Sequence, residues 1–281
     1  MNLARIPHRC DSPLHTTWCE ASERPGCSRY TVSKSLLDKT LALAILVVTS
    51  PVMLLAMLLV RLTSAGPVIY AQSRVGLDGA VFRMFKIRSM IHDCEKRSGP
   101  QWSGPGDPRV TLVGRFLRKS HVDELPQLIN VLRGEMSLVG PRPERPPFVA
   151  QLQKALPHYR ERLAVPPGIT GLAQIQLGPD TELSSVAAKL ICDLHYIQNL
   201  SVGLDLSIML VTPLRLVGVP FPALRWLLGL PAVRDLECTC AERPSGFAAI
   251  PVAVQPAALE LGRDPVHPLI PSPASGAAAV R

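Results

Sequence analysis

Aromatic residues are scarce in this sequence, since Phe, Trp and Tyr make up only 5% of its 281 residues. Proteins that hold single-stranded nucleic acid stack its bases on aromatic side chains, and the sequence contains no recognisable nucleic-acid module. The chain is nevertheless basic, with a formal charge of +8. Between positions 61 and 145, fourteen Lys and Arg stand against eight Asp and Glu. This surplus suits nucleotide diphosphates or anionic lipid headgroups, and no nucleic-acid partner is expected.

The sequence also lacks a disulfide framework. Its seven cysteines form no Cys-x-x-Cys pair and no His/Cys zinc spacing, a pattern typical of reduced cytosolic thiols. A cleavable signal sequence is not predicted either, because the first apolar run begins only at Thr40. Residues 1–33 are therefore expected to form a disordered cytoplasmic extension. Residues 235–281 are rich in proline and alanine and are expected to form a disordered tail.

One long hydrophobic run is present. The 21 residues from Thr40 to Val60 contain no charged residue. As a helix they would reach about 31 Å at about 1.5 Å per residue, enough to cross a bilayer. Ser50 and Pro51 fall at the centre, where proline removes a backbone hydrogen bond and bends a helix. Basic residues flank both ends, which leaves two alternatives: a kinked spanning helix, or a re-entrant hairpin that enters and leaves on one face.

A β-hairpin is predicted after this run. Two short β-rich runs, within 66–76 and 79–90, flank a turn at 77–79. Lys86 and Arg88 alternate along the second segment and would project from one face of the strand, where both could bind one phosphate. The alternative interpretation is a pair of solvated cations on an edge strand.

The most distinctive stretch places two adjacent carboxylates, Asp123 and Glu124, before a short helical pattern. Pro126 fits the first turn of that helix and Gly134 fits its C-terminal cap. The carboxylates would then lie at the helix N-terminus, where the dipole favours their ionised form. Cationic neighbours in the sequence are Arg115, Arg118 and Arg142. An ionised acid pair among guanidinium groups suits metal-assisted phosphoryl chemistry, although acidic residues are also ordinary dipole partners of helices.

Arg142 stands between Pro141 and Pro143, whose rings restrict the backbone, and a preset arginine suits an anionic ligand. The order of these motifs resembles the bacterial sugar transferase family of monotopic phosphoglycosyl transferases. The resemblance covers residues 31–217 and is densest from 109 to 144. It is carried by a Gly-Pro-led hairpin ending in Lys-Ile-Arg-Ser-Met, by the Asp-Glu-Leu-Pro segment, by Pro-Arg-Pro, and by Asp-Leu-Ser-Ile at 205–208.

The resemblance implies a reaction in which a sugar phosphate passes from a UDP-sugar to a polyprenyl phosphate carrier. Asp123 would be the nucleophile that accepts the sugar phosphate and releases UMP, and Glu124 would be a metal ligand or a base. Mg²⁺ is the implied ion, with Asp123 and Glu124 as ligands, because hard oxygen donors and phosphates suit it. The residues implied in substrate binding are Lys86, Arg88, Arg115, Arg118, Pro141, Arg142 and Pro143.

Resemblance and composition together predict a mainly α fold with a small β-hairpin. Because the family breaks its membrane segment at Ser-Pro, the Ser50–Pro51 pair favours a re-entrant helix hairpin over residues 34–62. A catalytic domain at 63–217 and an apolar interfacial segment of amphipathic helices at 218–234 would follow. The expected location is the cytoplasmic face of a bacterial inner membrane. Expected partners are a UDP-sugar, polyprenyl phosphate and membrane lipid, with other polysaccharide-assembly enzymes as a further prediction.

Two positions depart from the family pattern, since Pro166 stands where lysine is usual and Leu172 where tryptophan is usual. No catalytic residue is assigned to that lobe. The departures would fit a catalytically inactive membrane scaffold, whereas the intact acids and arginines favour a transferase. A lipid-phosphate hydrolase is another alternative. Helices are also predicted at 91–96, from 110 to the central stretch, at 148–164 and at 184–199.

Overall fold

A computed structural model describes residues 25–95, 106–180 and 182–236. The sequence predicts a disordered extension over 1–33, but residues 25–33 belong to the first helix, so the prediction is wrong there. The predictions for residues 1–24 and for the tail beyond 236 lie outside the described range. The described part is mainly helical, with two small two-stranded sheets. This confirms the predicted helical fold with its β-hairpin.

Helix α1 spans Pro25–Thr63 and continues through the Ser50–Pro51 pair. The sequence predicts a hairpin break there, but no turn separates two helices at this point. Pro51 has no N–H to donate to the carbonyl of Val47, and the Ser50 hydroxyl donates to that oxygen instead, at 2.8 Å. The helix therefore keeps its polar groups satisfied across the proline. The re-entrant membrane topology stays a prediction.

One face of α1 packs on the rest of the protein while the other is open. Ala42, Ala56 and Val60 are at most 4% exposed, whereas Val48 is 76% exposed and Leu62 is 73% exposed. Among the residues that the structure describes, Thr31–Thr63 is the helical segment long and apolar enough to cross a membrane. A wide exposed apolar face of this kind is stable only when something covers it.

Polar contacts fix the N-terminal half of α1 to the interior. The Lys34 ammonium lies 2.7 Å from the Asp205 carboxylate, and the Ser137 hydroxyl donates to Asp38 at 2.6 Å. Asp205 also accepts a hydrogen bond of 2.7 Å from the buried hydroxyl of Tyr196. The first helix is therefore part of the folded core.

Strands β1 (Ile69–Val75) and β2 (Val81–Ile87) pair in antiparallel register, with Val75 opposite Val81 and Ile69 opposite Ile87. The turn between them is the predicted one, and Asp78 and Gly79 adopt positive φ angles of 53° and 81° there. This confirms the hairpin prediction. The segment after it was predicted as a helix from 91 to 96; residues 92–95 instead form a turn, with Asp93 at a φ of +59°.

Helix α2 (Leu112–Ser120) begins at Thr111, whose hydroxyl accepts a hydrogen bond from the Gly114 N–H. His121 ends the helix in the left-handed conformation at a φ of +56°. A short 3₁₀ turn, Val122–Glu124, leads to helix α3 (Gln127–Leu132). The two carboxylates thus lie in the turn that precedes the six-residue helix α3. The sequence predicts them at the N-terminus of that helix, and they lie just ahead of its first residue, Gln127.

Asn130 on α3 fastens the hairpin to this region. It is 0% exposed, accepts the Phe85 N–H at 3.1 Å and donates to the Arg83 carbonyl and to Glu135 at 2.8 and 2.7 Å. The amide therefore bonds to the backbone of β2 as a neighbouring strand would. This contact fixes the position of β2, and therefore of Lys86, relative to Asp123 and Glu124.

Replacing Asn130 with alanine is expected to lower the free energy of unfolding by about 2–4 kcal/mol, because buried backbone groups of β2 lose their partners. The matched control is Asn199→Ala at an exposed helix end, with a change of about 0.5 kcal/mol or less. Thermal unfolding of both variants in one detergent compares them. Equal midpoints for the two variants would contradict the assigned role of Asn130.

Strands β3 (Ser137–Val139) and β4 (Gly168–Thr170) form a parallel pair beside the hairpin. Helix α4 spans Pro146–Ala155 and is followed by a 3₁₀ turn at Tyr159–Leu163. The predicted single helix over 148–164 is therefore wrong. Pro157 disfavours a helical conformation at Leu156, whose ψ is 117°.

The remaining helices are α5 (Leu172–Gln176), α6 (Leu183–Gln198), α7 (Val202–Leu216) and α8 (Phe221–Leu228). Helix α6 confirms the prediction for 184–199 and forms the centre of the core. Leu172, one of the departures from the family pattern, is 1% exposed and packs in that core. On α8, Trp226 is 86% exposed and Leu227 is 71% exposed, as expected of an interfacial helix, and the membrane contact stays a prediction.

Candidate active site

The two adjacent carboxylates border a cavity of about 660 Å³. Asp123 is 6% exposed and Glu124 is 9% exposed, so both are buried at its wall. The predicted binding residues that line the same cavity are Lys86, Arg88, Arg118 and Arg142. The fold therefore brings together residues from three distant parts of the sequence.

Glu124 is neutralised by two cations. The Lys86 ammonium lies 2.8 Å from Glu124 Oε1, and Arg142 contacts the same oxygen at 2.5 Å and Oε2 at 3.3 Å. Burial alone would raise the pKa of Glu124, but the charges of Arg142 and Lys86 outweigh it and hold the pKa well below its usual range. Glu124 is therefore ionised near neutral pH and anchors both cations beside its neighbour.

Asp123 has the opposite electrostatic environment. Burial, followed by the charge of Glu124, raises its pKa to about 6, against the lowering effect of Lys86, Arg118 and His121. The helix-dipole argument predicts a lowered pKa for Asp123, but burial dominates and raises it instead. A carboxylate with a pKa near 6 is mostly ionised at neutral pH and more basic than an ordinary aspartate, which suits a nucleophile.

The Pro141-Arg142-Pro143 segment positions Arg142 through its backbone. The Gly168 N–H donates to the Pro141 carbonyl, and Arg162 donates to the Arg142 carbonyl, both at 2.9 Å. Arg74 donates to the Pro143 carbonyl, also at 2.9 Å. The two proline rings are not among the residues that line the large cavity. We conclude that they fix the backbone around Arg142, and that direct contact with a ligand falls to the guanidinium.

The other predicted arginines divide into two groups. Arg118 donates from Nε to the Ser89 hydroxyl at 2.9 Å and faces the cavity. Arg115 is exposed on the outer side of α2 and is not among the cavity-lining residues. Arg115 is one helical turn from Arg118, but its side chain is exposed to solvent and does not line the cavity. Its position therefore does not support the prediction that it binds the substrate.

Several cavity residues were not predicted as site residues. Arg145 forms two hydrogen bonds with Glu95, at 2.9 and 2.8 Å. Lys189 on α6 lies 2.8 Å from Asp180. These two ion pairs lie on the cavity wall together with Arg74 and Glu144, which form an ion pair at 3.4 Å. Arg74 stands within a motif of the family and could have been found there, whereas the Asp180–Lys189 pair has no signal in the sequence.

The donor chemistry at the acids fits a hard divalent cation. Magnesium in proteins is usually held by one or two carboxylates together with substrate phosphates and water. Asp123 and Glu124 supply such carboxylates at the cavity wall, and the cavity leaves room for phosphates. No cluster of three or more His, Cys, Asp or Glu side chains is found within the described ranges. The remaining ligands would therefore have to come from the substrate.

Comparison with known proteins gives an independent result. A family model described as "Bacterial sugar transferase" matches residues 29–218. An Aeromonas hydrophila protein named UDP-N-acetylgalactosamine-undecaprenyl-phosphate N-acetylgalactosaminephosphotransferase is 42% identical over 183 residues, which is 65% of this chain and 43% of that protein. A Xanthomonas campestris protein named UDP-glucose:undecaprenyl-phosphate glucose-1-phosphate transferase is 42% identical over 192 residues, 67% of this chain and 40% of that protein.

The chain thus spans less than half the length of these two relatives. A shorter relative is covered almost completely. The Rhizobium leguminosarum protein named "Exopolysaccharide production protein PSS" is 39% identical over 186 residues, which is 64% of this chain and 93% of that protein.

Proposed function

The chain belongs to the bacterial sugar transferase family, and on that premise we propose that it transfers a sugar 1-phosphate from a UDP-sugar to undecaprenyl phosphate and releases UMP. The names of these two relatives describe such reactions with glucose or N-acetylgalactosamine. The same reaction would be the first membrane step of exopolysaccharide or other glycan assembly. It would take place at the cytoplasmic face of the inner membrane, where a nucleotide sugar and a lipid phosphate can meet.

One observation carries the proposal: two neighbouring buried carboxylates have been given different electrostatic environments. Glu124 is paired with Lys86 and Arg142, whereas Asp123 keeps a pKa of about 6 beside the open cavity. Environments that separate the pKa values of two neighbouring acids commonly give them different catalytic roles. Asp123 is then the nucleophile, and Glu124 holds the cations that screen the phosphates.

In the first step, a carboxylate oxygen of Asp123 attacks the phosphorus that bears the sugar. A bond forms between that oxygen and phosphorus, and the bond from this phosphorus to the bridging oxygen of UMP breaks. UMP leaves with the bonding electron pair, and its negative charge develops near Lys86 and Arg142. The product is a phosphosugar-aspartyl intermediate. Lys86 and Arg142 offset the repulsion between the anionic nucleophile and the anionic phosphate.

In the second step, an oxygen of the lipid phosphate attacks the same phosphorus. The new phosphorus–oxygen bond makes the lipid diphosphate sugar, and the bond to Asp123 breaks, which regenerates the carboxylate. A magnesium ion bound at Asp123 and Glu124 would supply further charge neutralisation for the phosphate oxygens. Arg118, which partly offsets the raised pKa of Asp123, lies on the cavity wall where it can contact either phosphate.

The decisive experiment supplies the purified protein with a panel of UDP-sugars, undecaprenyl phosphate and magnesium. With the sugar of the donor labelled, UMP release and the amount of labelled sugar in the lipid extract should rise together for one donor. Release of free sugar phosphate without a lipid product would instead indicate a hydrolase. No reaction with any donor, from a protein that still binds membranes, would favour the inactive scaffold over the transferase.

The turnover is expected to depend on pH through Asp123. Its raised pKa of about 6 means that the reactive carboxylate is present above this pH and is lost as the pH falls through it. The logarithm of the rate should therefore drop by about one unit per pH unit below 6. A rate–pH profile from pH 5 to 8 at saturating donor measures this. A profile that stays flat down to pH 5 would contradict the assignment.

A further inference from the structure

A buried cation in the cavity wall lacks a complete set of partners. Arg88 is 6% exposed, and its Nη2 donates to the Ser64 carbonyl at 2.7 Å. Its Nε and Nη1 have no hydrogen-bond partner among the residues that the structure describes. Buried charges in proteins are normally paired, because a lone charge loses its hydration without compensation. An anion bound at these two nitrogens would complete the site.

The position of Arg88 indicates where such an anion would come from. Ser64 follows the last residue of α1, and Arg61 lies in the last turn of that helix. Burial, and then the charge of Arg61, lowers the pKa of Arg88, so the two cations are close enough to interact. Leu62, in the same helical turn, is 73% exposed. The guanidinium is therefore placed where the long apolar helix meets the cavity.

A glycine and the His92 ring lie beside the guanidinium. Gly66 has a φ of +107°, which favours glycine. A Cβ atom at this position would lie 2.2 Å from the His92 ring and 2.5 Å from Arg88 Nη1. Any side chain at 66 would therefore displace the His92 ring or the guanidinium beside the unpaired nitrogen.

Arg88 also differs from the cations that serve the acid pair. Lys86 and Arg142 both bind Glu124, whereas Arg88 donates to the Ser64 carbonyl. Its neighbour Ser89 accepts a hydrogen bond from Arg118, and Arg118 interacts electrostatically with Asp123. An anion at Arg88 would thus be connected to the nucleophile through Arg118.

We propose that Arg88 binds the terminal phosphate of the lipid acceptor, in a subsite distinct from the Lys86–Glu124–Arg142 cluster. The ligand class is the phosphate monoester of a long-chain isoprenoid alcohol, whose tail would lie along the exposed leucines of α1. The inference rests on the proposed function and deepens it, because it separates the acceptor end of the cavity from the donor end.

The test measures the two half-reactions separately on the full chain in detergent micelles. Arg88→Gln and the milder Arg88→Lys are compared with Arg115→Gln, an exposed arginine outside the cavity. UMP release from UDP-sugar without acceptor should stay within about twofold of the unmodified protein in Arg115→Gln. The KM for undecaprenyl phosphate should rise about tenfold or more in Arg88→Gln, less in Arg88→Lys, and remain unchanged in Arg115→Gln.

Thermal shift distinguishes the possible ligands. Undecaprenyl phosphate should raise the unfolding midpoint of the unmodified protein but not that of Arg88→Gln, and neutral undecaprenol should have little effect. Equal stabilisation by inorganic phosphate would show a site for free phosphate and overturn the lipid assignment. Loss of UMP release in both Arg88 variants, or an unchanged acceptor KM, would also overturn it. If the unmodified protein transfers nothing, the proposed function fails, and the lipid-phosphate thermal shift still decides whether Arg88 binds.

Discussion

Asp123→Asn is expected to lower the turnover by about four orders of magnitude or more, because the amide cannot form the phosphosugar intermediate. The same variant should be more stable than the unmodified protein at pH 8. Burial makes ionisation of Asp123 unfavourable in the folded state, with a pKa of about 6 against an ordinary 3.8. The gain is on the order of 3 kcal/mol above pH 6 and disappears as the pH falls toward 4.

Two measurements check this expectation. Intact-mass spectrometry after incubation with donor and magnesium should show a sugar-phosphate adduct on the unmodified protein and none on Asp123→Asn. Thermal unfolding at pH 8 and pH 5 should show the stability difference shrinking with acid. Asp78→Asn, at an exposed turn position that asparagine tolerates, is the matched control and should change neither result. Substantial transfer by Asp123→Asn would remove the residue from its assigned role.

Glu124→Gln is expected to reduce turnover about a hundredfold and to lower the free energy of unfolding by about 2–4 kcal/mol. Lys86 and Arg142 would lose the carboxylate that holds them, although the partial exposure of the Arg142 side chain limits the cost. The variant should also alter its neighbour. Because the charge of Glu124 raises the pKa of Asp123, its removal should move the acidic limb of the residual activity below pH 6.

The control for Glu124→Gln is Asp235→Asn, which removes the carboxylate of an exposed ion pair between Asp235 and Arg225. That change should leave turnover intact and stability within about 0.5 kcal/mol. Rate–pH profiles and thermal unfolding of both variants measure these changes in turnover, pH dependence and stability. An acidic limb that remains at pH 6 in Glu124→Gln would show that the two carboxylates do not interact as the geometry indicates.

The sequence predicted the parts of this site that depend on local pattern. The β-hairpin, the 184–199 helix and the association of Lys86, Arg118 and Arg142 with the acid pair follow from turn chemistry, periodicity and the family motifs. Features that depend on burial were missed. The pKa of Asp123 is set by desolvation in the folded cavity, which no spacing reveals, and the dipole argument therefore gave the wrong sign.

Other errors have equally specific causes. Arg115 and Arg118 are neighbours one turn apart on helix α2, but Arg115 is exposed and does not line the cavity, so its role in binding stays a prediction. The helix predicted over 148–164 ignored the restriction that Pro157 places on Leu156. The Asp180–Lys189 pair joins residues nine apart, and its position on the cavity wall depends on the tertiary fold, which local pattern does not contain.

The contacts of helix α1 with the interior determine whether the protein can be shortened to a fragment without this helix. Ala42 is completely buried, and Lys34 supplies the cation for Asp205, itself 4% exposed. Deleting α1 to obtain a catalytic fragment that needs no detergent would expose the core residues that pack against it. It would also leave the buried Asp205 without the charge of Lys34. Such a fragment is expected to aggregate on expression, whereas lipid nanodiscs around the intact polypeptide preserve the whole unit.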